Sequence, residues 1–496
     1  MLIVRQEDRA RLGLDDALEA CRCHSPQGRR LKMARRFHGP DDRAALEATF
    51  DAIERLVVWV VNAPRDVRRV AGILSHFRDV HQTVTGLSEG RLLDVTELFE
   101  IKQALKLFRQ LREHDRLLAD AGVTLTPLEA AEATLDPSGV GTQGFYVYDQ
   151  YSPELSALRA DRSRIERAMA KADAALRAEL LDERARLIEA EDAEETRVRG
   201  AICETLRPFA ETMSENFRAV GILDFRLARA VLAVEWKAPR PRILATGEPC
   251  VLEACWHPVI ADALEARGAT YARQTMTLPQ GTTVLSGPNM GGKSVTLKAV
   301  TLALTLIHMG YFPPAASAET PLFDFISYAS DHVDTTRKGL SSFGAEVVRM
   351  RDDATRAKRS PGLVVMDEPC RGTNPEEATA LIAAICRFYA RQSGSLLVAT
   401  HYRTPAGDRI QHVRIRGIRL EEALAEARTD QGGERSDEAA IRHIEHMMDY
   451  TLDVVDGAHP VPTDAIRIAT WLGLDEDILD LIERPSKDDK EASWQN

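Results

Sequence analysis

A glycine-rich stretch, GPNMGGKS at Gly287–Ser294, has the spacing of a loop that binds phosphate groups. Glycines allow backbone N–H groups to turn toward phosphate oxygens, and a helix that begins at the loop adds the positive end of its dipole. In such a loop Lys293 neutralises the β and γ phosphates, and Ser294 binds Mg²⁺. The pattern predicts a nucleotide site with contacts from Gly287, Pro288, Asn289, Met290, Gly291, Gly292, Lys293, Ser294 and Val295.

Two acids, Asp367 and Glu368, end another apolar run, Leu363–Met366. The carboxyl ends of neighbouring parallel strands meet at one edge of a sheet, which is also where a phosphate-binding loop lies. Asp367 is therefore predicted to bind Mg²⁺ through water, and Glu368 to polarise the water that attacks the terminal phosphate. A pair of acids after a strand is common, but together with the loop it predicts hydrolysis of a nucleoside triphosphate.

The elements that must position these residues follow from the pattern of apolar residues. From Ile243 onward, short apolar runs alternate with helical segments, which is typical of an α/β sheet. The predicted strands are Thr283–Ser286, Leu322–Tyr328, Leu363–Met366 and Leu396–Ala399. The predicted helices are Val295–Met309, Gly344–Ala357, Glu376–Gln392 and Ala465–Leu472. The pattern predicts a parallel sheet flanked by helices, with the loop at the carboxyl end of a strand.

The first half of the chain is predicted to be helical. Apolar residues recur at helical spacing from Asp8 to Leu118. Ser152 is a predicted N-cap, with Pro153 at the first position of a long helix. Because Ile165–Thr205 contains no strand-like or glycine-interrupted insertion, two long helices are predicted to pack along each other.

Composition limits the class of protein. A chain of 496 residues is long enough for two or three domains. The densest apolar run, Leu56–Val61, is far too short to cross a membrane, and the N-terminus lacks a signal peptide, so a cytoplasmic protein is predicted. The net charge of −12 argues against a broad nucleic-acid-binding surface but allows a local basic patch. Cys21-Arg-Cys23-His24 lacks a second ligand pair at zinc spacing, which favours reduced thiols over a metal site.

The sequence GPNMGGKS resembles the phosphate-binding loop of the MutS family of DNA mismatch-repair ATPases, because loops of other families rarely carry an asparagine and a methionine at the positions of Asn289 and Met290. The resemblance implies ATP as the nucleotide and Mg²⁺ as the metal. It also implies an α-helical core and lever domain followed by an α/β P-loop ATPase domain of the ABC-like type. The implied boundaries are 1–240 for the helical domain, 241–484 for the ATPase domain with dimerisation helices at its end, and 485–496 for a disordered tail.

The resemblance assigns roles to further residues. Tyr271 matches the family's adenine-stacking aromatic, although a buried core tyrosine fits the pattern nearly as well. His401 matches a histidine that senses loss of the γ-phosphate, and it joins Lys293 and Glu368 as a predicted catalytic residue; the alternative is a structural histidine. Ser341 and Ser342 match a segment that reaches the nucleotide of the opposite subunit, although a plain helix cap is also possible. A shared site implies a dimer, either homomeric or with a related subunit.

Departures from the family leave the partner of the ATPase open. No counterpart is expected for the mismatch-recognition and connector domains, and the DNA clamp is expected to be reduced to a helical hairpin. Pro369 and Cys370 replace the residues usual after the two acids. One predicted function is a DNA-associated ATPase that moves helical levers; the alternative is a protein-remodelling factor that reactivates a cobalamin-dependent aminomutase. A scaffold without ATPase activity is disfavoured because the loop lysine and serine and both acids are present.

Overall fold

The computed structural model describes residues 6–139, 144–288, 291–330, 342–418, 447–455, 474–475 and 478–479. The chain divides into two units. The α/β unit contains Met1–Ala20, Arg36–Phe50 and Glu235–Asn496. The helical unit contains Cys21–Arg35 and Asp51–Val234.

Twelve α-helices precede the first strand within the described residues. They are α1 (Gln6–Arg11), α2 (Leu14–Ala20), α3 (Pro26–Met33), α4 (Arg43–Asn62), α5 (Pro64–Ser75), α6 (His81–Ser88), α7 (Val95–Arg112), α8 (Asp115–Asp120), α9 (Glu129–Leu135), α10 (Pro153–Met169), α11 (Ala174–Leu206) and α12 (Ala210–Trp236). Short 3₁₀ turns lie at Pro40–Asp42, Asp149–Tyr151 and Arg207–Phe209. The predicted helical first half of the chain is confirmed.

Helices α10 and α11, the two long helices predicted to pack along each other, form a hairpin in the helical unit. The Ser152 hydroxyl accepts the N–H of Leu155 with Pro153 at the first position, as predicted, and Asp173 caps α11 in the same way. Only residues 170–173 separate the helices, so no further domain is inserted between them.

Ion pairs hold this hairpin together along its length. The Glu191 carboxylate is buried and accepts from Arg159 at 3.0 Å and from Arg162 at 2.6 Å. Nearer the tip, Arg184 donates to Glu166 at 3.0 Å. These arginines are therefore neutralised within the hairpin rather than presented to solvent as free positive charge.

The α/β unit contains two sheets. The strands are β1 (Arg242–Ile243), β2 (Cys250–Cys255), β3 (Gln274–Leu278), β4 (Gly281–Ser286), β5 (Ser317–Thr320), β6 (Phe325–Ala329), β7 (Gly362–Asp367), β8 (Ser395–Ala399), β9 (Ile410–Ile418) and β10 (Met448–Val455). The larger sheet has the order β10-β9-β4-β8-β7-β6 and is parallel except for β10. The smaller sheet has the order β1-β5-β2-β3.

The helices of the α/β unit are α13 (Pro258–Glu265), α14 (Lys293–His308), α15 (Ser342–Ala357) and α16 (Pro375–Ala390). Helix α14 is buried on nearly every side from Leu297 to His308, as its almost continuous apolar sequence requires. The adjoining strands β7 and β8 are also buried along their length, which is typical of parallel strands covered on both faces. This packing fixes the start of α14 relative to the ends of those strands.

The predicted α/β architecture is confirmed, with corrections in detail. Strands β4, β7 and β8 match the predicted segments, but β6 begins at Phe325 rather than Leu322. The prediction was wrong there because residues 322–324 lead into the strand; the Phe323 N–H donates instead to the His308 ring at 2.9 Å. Sequence reasoning missed the smaller sheet, strand β9 and most of strand β10. The predicted helix at Ala465–Leu472 and the tail from 485 lie outside the described residues.

No helix among the described residues is both long enough and apolar enough to cross a membrane.

Candidate active site

The predicted loop connects β4 to α14. Helix α14 begins at Lys293, directly after Gly292, whose φ of 78° is a left-handed conformation that favours glycine. Gly287 lies so close to β9 that a Cβ there would come within 2.9 Å of the Ile415 side chain. Both glycines are thus required by the backbone path, and the path directs the first N–H groups of α14 toward the loop.

Lys293 is buried and lies within its own loop. Its Nζ donates to the carbonyl oxygens of Gly287 at 3.0 Å and Pro288 at 3.1 Å. The same atom is 3.7 Å from Oε1 of Glu368. Burial lowers the pKa of Lys293, and the nearby carboxylates of Glu368 and Asp367 oppose that shift. The lysine is therefore a cation held in a partly desolvated place, where it would bind an incoming anion strongly.

Strand register brings the two acids to the loop. Asp367, the last residue of β7, pairs with Ala399 of β8, and Ala399 pairs with Leu285 of β4. Asp367 is therefore two strand spacings, or about 10 Å, from Leu285, which lies near the end of β4 where the loop begins. The Glu368 N–H donates to the Ala399 carbonyl at 2.9 Å, which continues the ladder past Asp367.

The Asp367 carboxylate has an unused buried oxygen. Its Oδ1 is buried and has no hydrogen-bond partner, although buried carboxylate oxygens nearly always have one. Burial raises the pKa of Asp367, and the nearby Ser294 hydroxyl opposes that shift. A hydroxyl and a carboxylate oxygen without a hydrogen-bond partner are oxygen ligands that suit Mg²⁺. The residues present therefore fit the predicted metal.

Glu368 is held in an unusual conformation between two cations. Its φ is 48°, a left-handed conformation that is uncommon for a residue other than glycine and concentrates at functional sites. Its Oε2 accepts from Arg371 at 3.0 Å, while Oε1 faces Lys293. Cys370 is also left-handed, with φ of 67°, and its N–H donates to Glu346 of α15 at 2.9 Å. The turn after β7 is therefore shaped to present this carboxylate to the loop.

Comparisons with known proteins agree with this geometry. The family model for MutS domain V matches residues 283–437. A DNA mismatch repair protein MutS from Thermus aquaticus is 28% identical over 433 residues, which cover 76% of this chain and 51% of that protein. The MutS protein of Natronomonas pharaonis is 27% identical over 73% of this chain and 43% of its own length. That of an Exiguobacterium strain is 30% identical over 56% of this chain and 33% of its own length.

Residues 283–437 of the chain are therefore identified as a MutS domain V. The chain spans between a third and about half of the length of these MutS relatives.

His401 lies at the same edge of the sheet as the loop. Thr400, just before it, donates its N–H to the Leu285 carbonyl at 3.2 Å, which ties the end of β8 to β4. The His401 ring packs against Tyr402 with ring centroids 4.2 Å apart. The position suits the γ-phosphate contact that the MutS resemblance implies, and that role stays a prediction.

Other residues from the MutS resemblance fall at the limits of the described chain. Ser342 is the first residue of α15, so it lies at a helix start as predicted. Asn289, Met290 and Ser341 lie outside the described residues. The contribution of the serines to a second subunit's site stays a prediction.

Tyr271 lies beside a cavity that sequence reasoning missed. Burial raises the pKa of the Tyr271 hydroxyl, which lies near Cys255 and the main chain of His257. The residues that follow it line a cavity of about 280 Å³ together with residues of β10; the lining residues are Ala272, Arg273, Gln274, Thr275, Met448, Asp449, Tyr450, Thr451 and Leu452. A Cβ on Gly292 would come within 3.2 Å of the Tyr450 ring, so this second aromatic adjoins the loop. No local sequence signal marks Tyr450, because only the pairing of β10 with β9 brings it there.

Proposed function

We propose that this chain is an ATPase of the MutS type, with an ABC-like P-loop site. The observation that carries the proposal is the meeting of Lys293, Ser294, Asp367 and Glu368 at one edge of the larger sheet. A cation, a hydroxyl, an unpaired buried carboxylate oxygen and a second carboxylate are the groups that triphosphate hydrolysis requires. The resemblance of GPNMGGKS to the MutS family implies that the nucleotide is ATP.

Each residue has a distinct task in this proposal. The loop N–H groups and the start of α14 bind the phosphates, and Lys293 leaves the carbonyls of Gly287 and Pro288 to neutralise the terminal ones. Ser294 and Asp367 would hold Mg²⁺, which when bound supplies positive charge against the phosphate oxygens. Glu368 orients and polarises the attacking water. His401 contacts the terminal phosphate, and the base enters the cavity between β3 and β10 beside Tyr271 and Tyr450.

The proposed enzyme works as a dimer. Ser341 and Ser342 reach the nucleotide of the opposite subunit from the start of α15, so that each complete site needs two chains. Hydrolysis then alters the dimer and moves the helical levers. The partner subunit is a second copy of this chain or a related MutS-like chain.

Steady-state ATP hydrolysis tests the site. With ATP and Mg²⁺, the unaltered chain should release phosphate, and Lys293→Ala should reduce kcat at least about 100-fold because the phosphate-neutralising charge is lost. Lys358→Ala removes an exposed lysine over the Phe388 ring and serves as the matched control with unchanged turnover. Normal turnover by Lys293→Ala would show that the assigned site is wrong.

The proposed partner of the ATPase is DNA. All three MutS relatives described above are named DNA mismatch repair proteins. In this proposal ATP and DNA binding are coupled, so duplex DNA should change the rate of ATP hydrolysis.

A second candidate function is supported by the hairpin of α10 and α11. Three of its arginines, at 159, 162 and 184, are paired with glutamates of the hairpin, so these three offer little free charge to DNA phosphates. This feature favours a protein client, and the candidate is an ATP-dependent factor that reactivates a cobalamin-dependent aminomutase. An ATPase whose rate ignores DNA at every salt concentration, but rises with an inactivated aminomutase, would favour the second candidate.

A further inference from the structure

Helix α5 has an outer face made of arginines. Val67, Val70 and Leu74 are buried on one side, and the helical repeat places Arg65, Arg68 and Arg69 on the opposite side, where all three are exposed. Among the described residues, no carboxylate lies within ion-pair distance of these three arginines. Gly72 shares this face, and a Cβ there would have no neighbouring atom within 4 Å. The face is therefore open, and its positive charge is not neutralised.

The segment Cys21–Arg35 adds a second group of positive charges. It contains Arg22, Arg29, Arg30, Lys32 and Arg35 and no acidic residue. Its start is fixed because the buried Asp224 carboxylate accepts from Ser25 N–H at 2.7 Å and Ser25 Oγ at 2.6 Å. Arg22 and Arg29 are exposed, and within the described chain neither has a carboxylate partner.

The segment Cys21–Arg35 contacts the residues that directly follow α5 in the helical unit. The Gln27 side chain of α3 donates to the Arg78 carbonyl at 2.8 Å, and Arg30 pairs with Asp79 at 2.6 Å. Arg78 and Asp79 follow the last residue of α5 within a few positions. Arg69 is about 9 Å along the helix axis from that end. Both side chains of the Arg30–Asp79 pair are more than half exposed, so the pair contributes little and Arg30 can exchange partners.

We propose that this arginine ridge, formed by Arg22, Arg29, Arg30, Arg65, Arg68 and Arg69, binds the phosphate backbone of a nucleic acid. Five of these six arginines have no carboxylate partner among the described residues, and Arg30 shares only the exposed pair with Asp79. Repeated positive charges of this kind match the repeated negative charge of a duplex. An interface with a protein needs apolar or aromatic anchors, and Met33 is the one large exposed apolar side chain in α3 and α5. Phosphate contacts of this kind position the chain on DNA without selecting a sequence.

The ridge supplies the nucleic-acid contact of the proposed ATPase, and in that respect the inference rests on the proposed function. It assigns the contact to α3 and α5 rather than to the hairpin of α10 and α11. The overall charge of −12 does not oppose it, because salt at physiological concentration screens interactions between exposed charges that are more than about 8–10 Å apart.

The test is the salt dependence of DNA binding by the full chain. Fluorescence anisotropy with a mixed-sequence duplex of about 30 base pairs, between about 50 and 200 mM salt, gives the slope of log K against log salt. The triple variant Arg65→Gln, Arg68→Gln, Arg69→Gln should weaken binding and reduce the magnitude of that negative slope by about 3, since each lost phosphate contact removes about 0.9. Arg22→Gln with Arg29→Gln should reduce that magnitude by about 2. The matched control, Arg177→Gln with Arg186→Gln, removes exposed arginines of the hairpin and should change neither quantity.

Each outcome separates this inference from the ATPase proposal. Absence of duplex binding, equal losses in ridge and hairpin variants, or equally tight binding of poly-glutamate would overturn the ridge as a nucleic-acid surface. ATP hydrolysis without DNA should be unchanged in every variant of the ridge. If hydrolysis is absent from the unaltered chain while the ridge binds DNA as described, the ATPase proposal fails and the ridge stands.

Discussion

At the scale of single residues, the site combines groups that are unfavourable for the fold and useful for a ligand. Asp367 has a buried oxygen without a partner, Glu368 has a left-handed backbone, and Lys293 is a buried cation. Strain and unpaired charge of this kind are expected where a ligand completes the set. Sequence spacing predicted which residues meet, but it could not predict that Lys293 binds its own loop carbonyls or that Arg371 holds Glu368.

Asp367→Asn should stabilise the protein in the absence of Mg²⁺ and nucleotide. Burial raises the pKa of this carboxyl, which means that the folded state disfavours its charged form. A raised carboxyl pKa lowers the stability of the fold above the unfolded-state pKa, so removing the charge should raise the free energy of unfolding at neutral pH. Urea unfolding with a chelator checks this. A fall in stability would show that the carboxylate is satisfied in the fold and is not held for a metal.

Tyr450→Ala should weaken ATP binding, while Tyr450→Phe should leave it nearly unchanged. The ring adjoins Gly292 and lines the 280 Å³ cavity, so its loss removes apolar and stacking contact with a base. Titration of ATP and of inorganic triphosphate checks the assignment. The alanine variant should lose affinity for ATP about tenfold and keep its affinity for triphosphate. Equal losses for both ligands would place the base elsewhere.

At the scale of elements, the parallel core was predictable and the sheet edges were not. β7 and β8 are apolar runs and β4 is a β-branched and apolar run, and each is followed by chemistry-bearing residues, which is a strong signal. β9 contains alternating arginines and a glycine, and β1 has only two residues, so neither carries a pattern that sequence alone identifies. The cavity beside the loop went unrecognised for the same reason, because β10 forms one of its walls.

The hairpin of α10 and α11 should depend on its buried ion pairs more than on apolar packing. Glu191→Gln leaves Arg159 and Arg162 without their shared buried carboxylate, so it should lower the free energy of unfolding of the helical unit by about 2 kcal/mol. Glu183→Gln, at an exposed position of α11, is the matched control. Urea unfolding followed by circular dichroism compares the two. If both variants unfold alike, the ion pairs do not stabilise the hairpin.

At the scale of the whole molecule, the central question is whether a complete site needs two chains. The match to MutS domain V covers residues 283–437, and the chain spans only part of its MutS relatives, so their assembly is a proposal here. Helix α15 links the proposed contact with the opposite subunit to the acids of the chain's own site. It begins at Ser342, and its Glu346 accepts the N–H of Cys370 beside the acids.

Mixing two inactive variants tests the shared site. One chain carries Lys293→Ala, and the other carries Ser341→Ala with Ser342→Ala. Each should be inactive alone, but in a hybrid dimer the intact loop of one chain meets the intact serines of the other. An equal mixture should therefore recover about a quarter of the normal turnover, since half of the dimers are hybrid and each has one complete site. No recovery, with hybrid dimers confirmed by native mass spectrometry, would exclude a site shared in this way.

Calorimetric titration of ATP into the purified chain, with and without Mg²⁺, tests the central claim most directly. The account predicts one ATP per chain, tighter binding with Mg²⁺, loss of binding in Lys293→Ala, and loss of the Mg²⁺ effect alone in Asp367→Asn. Binding that is indifferent to Mg²⁺, or that survives unchanged in both variants, would contradict it.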